Sequence, residues 1–250
     1  MTIAVWIILG ILALWLIGNF FTYIIQDFFI FRPKKLDNEY RYDFKLTFEE
    51  LTFETPYDGS VNALWFRNPK EPRPVVLYYH GNSGDLSRWG HLGAYFDRFG
   101  YDLIIYDFRG FGKSKGWKNE RNLFSDADYL YHYALKVYSK DDIILFGRSM
   151  GTGMATYIAS RYEARMLILE TPYFSIPELF KTYYPFLPAR LFFFKYHFRC
   201  DLFIQRSKSP VHIFHGDNDW IIPLRNAIKL KKFLKEDSSF TIIEDGRHHD

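Results

Sequence analysis

Six short apolar runs, "PVVLYYH", "YDLIIYDF", "DIILFG", "RMLILE", "PVHIFHG" and "FTIIE", restrict what this chain can fold into more than any other feature. Each is too short for a helix and too uniformly apolar for a strand with one wet face, so each reads as a strand buried on both sides. Between them lie stretches with helical spacing, among them "LSRWGHLGAYFDRF", "SDADYLYHYALKVY" and "LRNAIKLKKFLK". Strand and helix in alternation, with buried strands, predict an α/β fold whose mostly parallel sheet is covered by helices on both faces. Ahead of these runs, "KLTFEELTFET" and "VNALWF", parted by "PYDGS", read as an opening antiparallel pair. A chain of 250 residues, 48% hydrophobic, suffices for one such domain and its core.

The first 26 residues carry no charged side chain. At 1.5 Å per residue about 20 apolar residues cross a hydrocarbon core of about 30 Å, so residues 1–31 are expected to form a single-pass transmembrane helix. A cleaved signal peptide fits less well, because there is no basic leader, the apolar run is too long and no small-residue cleavage site follows. Phe20, Phe21, Tyr23, Phe28, Phe29 and Phe31 crowd the end of the stretch, where rings settle at headgroup level. Arg32, Lys34 and Lys35 follow directly and no Lys or Arg precedes, which places the remaining residues, 32–250, on the cytoplasmic side.

A net charge of +3 with 24% charged residues offers no basic field for nucleic acid. The single cysteine, Cys200, excludes an internal disulfide and reads as a buried small hydrophobe. Residues 172–206 break the strand–helix rhythm with a proline-punctuated, strongly aromatic insertion. Two readings stand: short helices packing their rings on the core, or an apolar lid forming an acyl-chain wall.

The motif with chemistry is "GRSMG", Gly147 to Gly151, between the strand "IILF" and a stretch in which Met150, Met154, Tyr157 and Ile158 share a helical face. A serine at such a corner is forced into an unfavourable backbone conformation, and the residues two before and two after it must lack bulk. This is the nucleophile-elbow pattern in its strand–turn–helix setting, which makes Ser149 a candidate nucleophile. Such a serine needs a base and an orienting acid, in the chain order serine, acid, histidine. Asp217 and Asp219 follow the strand "PVHIFHG", and His248 and His249 follow "FTIIE", so all lie at the carboxyl ends of strands, where parallel sheets gather their sites. The turn "HGNSGD" after "VVLYY" supplies the oxyanion hole, with the backbone N–H groups of Asn82 and Met150 as donors and His80 shaping the loop.

These motifs resemble those of the α/β-hydrolase superfamily, and within it the membrane-anchored serine hydrolases of the Bem46 and ABHD type. The resemblance rests on "HGNSGD", "YDFRGFGKSKG", "GRSMGTG", "LETPY", "HGDNDWIIP" and "GRHHD", which cover most of residues 75 to 250. It implies an α/β-hydrolase fold with Ser149 as nucleophile, Asp219 as the acid and His248 as the base, and "YDFRGFGKS" as a structural loop near the site. Two departures stand out. His249 occupies a position where the family usually has a small polar residue, and the chain stops at Asp250 where members continue with a helix, which leaves His248 on a tail expected to fray.

Other motifs fail on their spacing. A phosphate loop in "RGFGKSKG" would need glycine where Asp107 stands, and a dinucleotide fingerprint would need glycine at Lys115. No cofactor or metal is expected, since the triad accounts for the histidines and aspartates. The implied activity is hydrolysis of an ester or thioester, on a lipid-like acyl substrate given the anchor and the aromatic insertion. A peptidase acting on acyl-peptides, and a non-catalytic membrane-bound module of the same fold, are the alternatives.

Overall fold

The computed structural model describes residues 2–249; Met1 and Asp250 lie outside it. The chain opens with α1 (Ile3–Ile30), a helix long and apolar enough to cross a membrane. Asn19 is its one buried residue among those described, and apolar side chains such as Ile3, Leu14 and Phe28 stand exposed around it. Phe31, expected among rings at headgroup level, is instead buried against Tyr196 and Phe111. The helix has ended by then, and the extended backbone carries that ring into the core.

A short strand β1 (Arg32–Pro33) follows, then β2 (Glu49–Thr55) and β3 (Gly59–Phe66), which form the expected antiparallel pair. The remaining strands are β4 (Val75–Tyr79), β5 (Ser83–Gly84), β6 (Asp102–Tyr106), β7 (Ile143–Arg148), β8 (Met166–Glu170), β9 (Val211–Gly216) and β10 (Ser239–Ile243). β1 pairs with β5 alone. The other eight form one sheet in the order β10-β9-β8-β7-β4-β6-β3-β2, parallel from β10 to β6. The helices are α2 (Leu86–Trp89), α3 (Leu92–Arg98), α4 (Glu120–Ala134), α5 (Gly151–Arg161), α6 (Ile176–Tyr183), α7 (Cys200–Ile204) and α8 (Arg225–Lys231). The stretch "LSRWGHLGAYFDRF" is thus two helices rather than one, with Gly90 between them packed against Phe44.

Strand β4 shows why the sheet is covered on both sides. Leu77 and Tyr79 point into one cluster with α4 and α5, while Val76 and Tyr78 point into a second with Leu86 and Trp89 of α2. Alternation along a fully buried strand therefore fills two cores, at about 25 cal/mol per Å² of apolar surface removed from water. The aromatic insertion divides between its two readings. Its second half is core, with Tyr196, Phe198, Cys200 and Ile204 buried; its first half leaves the core after the buried Tyr173, since α6 has no buried residue and Phe186 is 96% exposed.

One ion pair ties the fold's first strands to the loop after β6. The guanidinium of Arg109, fully buried, donates from Nε and Nη2 to Asp126 of α4 at 2.7 and 2.8 Å, and to the carbonyls of Pro56 and Tyr57 in the β2–β3 turn. Thr55 donates to the same carboxylate at 2.6 Å. Removing one partner of a fully buried pair strands the other without compensation. Asp126→Ala is expected to lower the unfolding free energy by about 3–5 kcal/mol in a urea titration. A loss below about 1 kcal/mol would place the pair among interactions that a surface ion pair could replace.

Candidate active site

Ser149 sits between the end of β7 and the start of α5 with φ at +50°, a left-handed conformation rare for a residue with a side chain. Its N–H donates to the Glu170 carbonyl on β8, and its carbonyl accepts from the N–H and the hydroxyl of Thr152. Those bonds hold the turn closed. A Cβ on Gly151 would overlap the Tyr79 carbonyl at the end of β4, and one on Gly147 would lie 2.7 Å from Ala155 Cβ. Both glycines are thus required by close approach, and the serine hydroxyl is left at the tip, 7% exposed.

His248 Nε2 lies 3.0 Å from Ser149 Oγ, and its Nδ1 lies 2.8 Å from Asp219 Oδ2. An ionised carboxylate only accepts, so Nδ1 carries the ring proton and Nε2 is left to accept from the serine hydroxyl. The other oxygen, Asp219 Oδ1, accepts from the N–H groups of Ile221 and Ile222, each at 2.9 Å. Burial pushes this carboxyl up, but the bonds from His248 and Ile222 and the charges of His248 and His215 outweigh it, so Asp219 ends below its ordinary range. Asp217 is exposed and takes no part in this chain of bonds. His249 is exposed as well, its ring edge against His248, with burial and neighbouring cations lowering its pKa.

The C-terminal segment is held rather than frayed. Gly246 accepts from Asn218 N–H, Arg148 donates to the His248 carbonyl at 3.3 Å, and His248 is 6% exposed. Arg148 in turn pairs with Glu170 at 3.1 Å, and burial raises the Glu170 carboxyl against that pull. Neither residue was singled out from the sequence, although a charged residue inside an otherwise apolar elbow was a visible signal. His215 supports the acid from behind: its Nε2 lies 2.7 Å from the Ile222 carbonyl and 3.5 Å from Asp219, and burial lowers its pKa. His80 is fully buried, Nδ1 at 2.7 Å from the Gly81 carbonyl and Nε2 at 3.4 Å from Asp107.

Asn82 and Met150 both line the cavity over Ser149. Among the described residues the backbone N–H of neither has an acceptor, and Met150 stands at the N-terminus of α5, where the peptide dipoles favour negative charge. The Asn82 loop is tied to the chain leaving α1: its carbonyl accepts from Arg32 N–H at 2.7 Å and its side chain donates to the Ile30 carbonyl at 3.0 Å. Cavity volume is about 430 Å³, and the walls include Phe29 and Ile30 of α1, Ile176, Leu179 and Tyr183 of α6, and Ile221. The α1 contribution had no sequence signal, because the pairing that brings it there is two residues long.

Residues 70–199, just over half of the chain, match the family Hydrolase_4, described as serine aminopeptidase, S33. The lysophosphatidylserine lipase ABHD12 of Danio rerio is 30% identical over 198 residues, covering 71% of this chain and 52% of that protein. The α/β hydrolase domain-containing protein 17C of Mus musculus is 27% identical over 211 residues, covering 78% of this chain and 61% of its own length. The chain thus spans between half and two thirds of these two relatives. Among solved structures, the Pyrococcus furiosus esterase Pf2001 superposes with a TM-score of 0.67 at 16% identity, over 88% of this chain and 90% of that one. Est1E of Butyrivibrio proteoclasticus, solved with ferulic acid, gives 0.64 at 19% identity, over 79% of this chain and 90% of its own. With a mostly parallel sheet of this order and a family match over more than half its length, the chain belongs to the α/β-hydrolase superfamily.

Proposed function

We propose that the protein is a membrane-anchored serine hydrolase that cleaves an acyl ester or thioester through an acyl-enzyme on Ser149. The observation that carries this reading is the unbroken hydrogen-bonded line from Ser149 Oγ through His248 to Asp219, at 3.0 and 2.8 Å, at the floor of an apolar cavity. His248 Nε2 takes the hydroxyl proton as Ser149 Oγ attacks the substrate carbonyl. The oxygen that becomes negative is met by the N–H groups of Asn82 and Met150. His248 then gives its proton to the departing alcohol or thiol, and a water molecule repeats the sequence to release the acid. Asp219, ionised and doubly bonded by Ile221 and Ile222, holds the imidazole in the required tautomer throughout.

In this reading residues 1–31 anchor the chain, residues 32–250 form the hydrolase unit with its body on the cytoplasmic side, and residues 172–206 carry the lid-like insertion. An apolar cavity suits a lipid-like acyl chain, and the names of the relatives, a lipase and several esterases, point the same way. The family description as a serine aminopeptidase supports a peptidase as second reading, since the same three residues serve an amide.

A fluorophosphonate probe is expected to label the full chain and to fail on Ser149→Ala; a folded but unlabelled wild-type protein would reject the reading. Asp219→Asn is expected to lower kcat by about 10⁴-fold with the circular dichroism unchanged. In detergent, kcat/KM on p-nitrophenyl esters is expected to rise with acyl length. Leu179→Trp, which narrows the cavity from its α6 wall, should cut the long-chain value by about tenfold more than the short-chain one. A preference for the shortest ester, or for a peptide over every ester, would remove the acyl-lipid assignment.

A further inference from the structure

The segment 184–194, "YPFLPARLFFF", connects α6 to the buried half of the insertion. Its apolar side chains face outward as a group: Phe186 is 96% exposed, and Tyr184, Leu187, Leu191 and Phe193 are about half exposed. Arg190, its one charge, is exposed as well. A patch of this kind marks a contact surface. What meets it is indicated by how its backbone is satisfied.

A loop surrounded by hydrocarbon has no water for its N–H and C=O groups, so every group must find a partner within the protein. Segment 184–194 finds three of its partners on α1, for the Leu191 carbonyl and for both backbone groups of Phe193. Trp15 Nε1 donates to the Leu191 carbonyl at 3.0 Å, Asn19 Oδ1 accepts from Phe193 N–H at 2.8 Å, and Gln26 Nε2 donates to the Phe193 carbonyl at 2.8 Å. Gln26 Oε1 accepts from Lys195 N–H, and the Lys195 ammonium meets both oxygens of Asp27 at 2.9 Å. Pro185 and Pro188 remove two further donors, and the N–H groups of Leu187, Leu191 and Phe192 bond back within the segment.

Position along the helix sets the depth. Asp27 is the first charge of the chain, and Trp15 lies twelve residues before it, about 18 Å along the axis at 1.5 Å per residue. With the Asp27–Lys195 pair at the polar boundary, the Leu191 carbonyl lies well inside the apolar stretch of α1. Trp15, Asn19 and Gln26, four and seven apart, form one stripe along that helix. Trp15 Nε1, Asn19 Oδ1 and Gln26 Oε1 would face lipid unpaired if residues 191–195 were elsewhere. Beside the seam, a hollow of about 460 Å³ lined by Leu16, Ile17, Phe20, Tyr23 and Phe193 has the apolar lining an acyl chain needs.

We propose that segment 184–194 is a second membrane-inserted element, seated in the same leaflet as the C-terminal half of α1 with the backbone groups of Leu191 and Phe193 held by Trp15, Asn19 and Gln26. The inference rests on reading α1 as a bilayer span and does not depend on the serine chemistry. Because α6 lines the catalytic cavity and runs directly into this segment, the mouth of the cavity opens at the leaflet, and the partner of this surface is the lipid itself.

Single-cysteine variants of the full chain, carrying an environment-sensitive fluorophore and reconstituted in phosphatidylcholine vesicles, test this; native Cys200 is fully buried and stays unlabelled. Phe186→Cys is compared with Leu14→Cys on α1 and with Val137→Cys, which lies just before β7 at the end of the sheet opposite Ser149. Lipid with a nitroxide midway along its acyl chain is expected to quench the label at 186 several-fold more than at 137, approaching position 14. Quenching at 14 with 186 no different from 137 would overturn the proposal and leave the span intact. No quenching at 14 would overturn it through the span itself. Stronger quenching at 186 by a headgroup nitroxide than by an acyl-chain one would also overturn it, showing contact with the surface and not insertion.

Discussion

The Tyr79 carbonyl at the end of β4 approaches the first turn of α5 so closely that only a glycine fits at position 151. The rest of the site depends on that approach. It lets β7 turn into α5 within two residues, which places Ser149 in a left-handed backbone conformation and turns its hydroxyl out over the sheet. Such a conformation costs of the order of 1–3 kcal/mol, and it persists because the surroundings over-determine it. Strand β8 holds the serine N–H, Thr152 holds its carbonyl, and the two apolar clusters on either side of the sheet fix β4 and β7 in register.

Three carboxylates near this corner, Glu170 half-buried and Asp107 and Asp219 buried, show how differently surroundings answer burial. Burial raises Glu170 and Asp107, each of which has a cationic or titratable neighbour, Arg148 and His80, that only partly opposes the effect. Asp219 is buried too, yet it ends on the other side of its ordinary value, because two backbone N–H groups converge on one oxygen and the His248 ring on the other. The turn "DNDWIIP" makes this possible. Its backbone folds back so that Ile221 and Ile222 aim their N–H groups at the aspartate two and three residues earlier, a local arrangement that Asp217 lacks. Hydrogen bonding to the charged form therefore outweighs desolvation at one carboxylate and not at the other two.

This contrast also explains what was legible in the sequence. Buried strands announce themselves by composition, and the elbow by two glycines whose spacing has a steric reason, so the parallel sheet and Ser149 could be read directly. Choosing Asp219 over Asp217 and His248 over His249 needed the family resemblance, since what distinguishes each pair is the direction of a side chain within a turn. The aromatic insertion could not be resolved for a similar reason. Tyr196 and Phe198 are as aromatic as Phe186 and Phe193, and only their position relative to α1 and the core decides which are buried. Arg109 with Asp126, seventeen residues apart, and Arg32 with Asn82, fifty apart, are contacts that no local pattern encodes.

The link between Arg32 and Asn82 bears on how the two parts of the molecule relate. A helix joined by a flexible linker would leave the Asn82 loop to hold its own shape. Here the chain leaving α1 enters the α/β body at once, pairs Arg32 and Pro33 with Ser83 and Gly84, and receives the Asn82 side chain on the Ile30 carbonyl. Asn82 is thereby held at the cavity by bonds to the end of α1 and to the strand that follows it. Phe29 and Ile30 complete that cavity's wall within the same turn of helix. The helix therefore contributes to the geometry of the site as directly as β4 and β7 do. Through two residues of β-pairing its end is joined to the loop that carries Asn82, the one of the two free N–H groups at the cavity that is not fixed by α5.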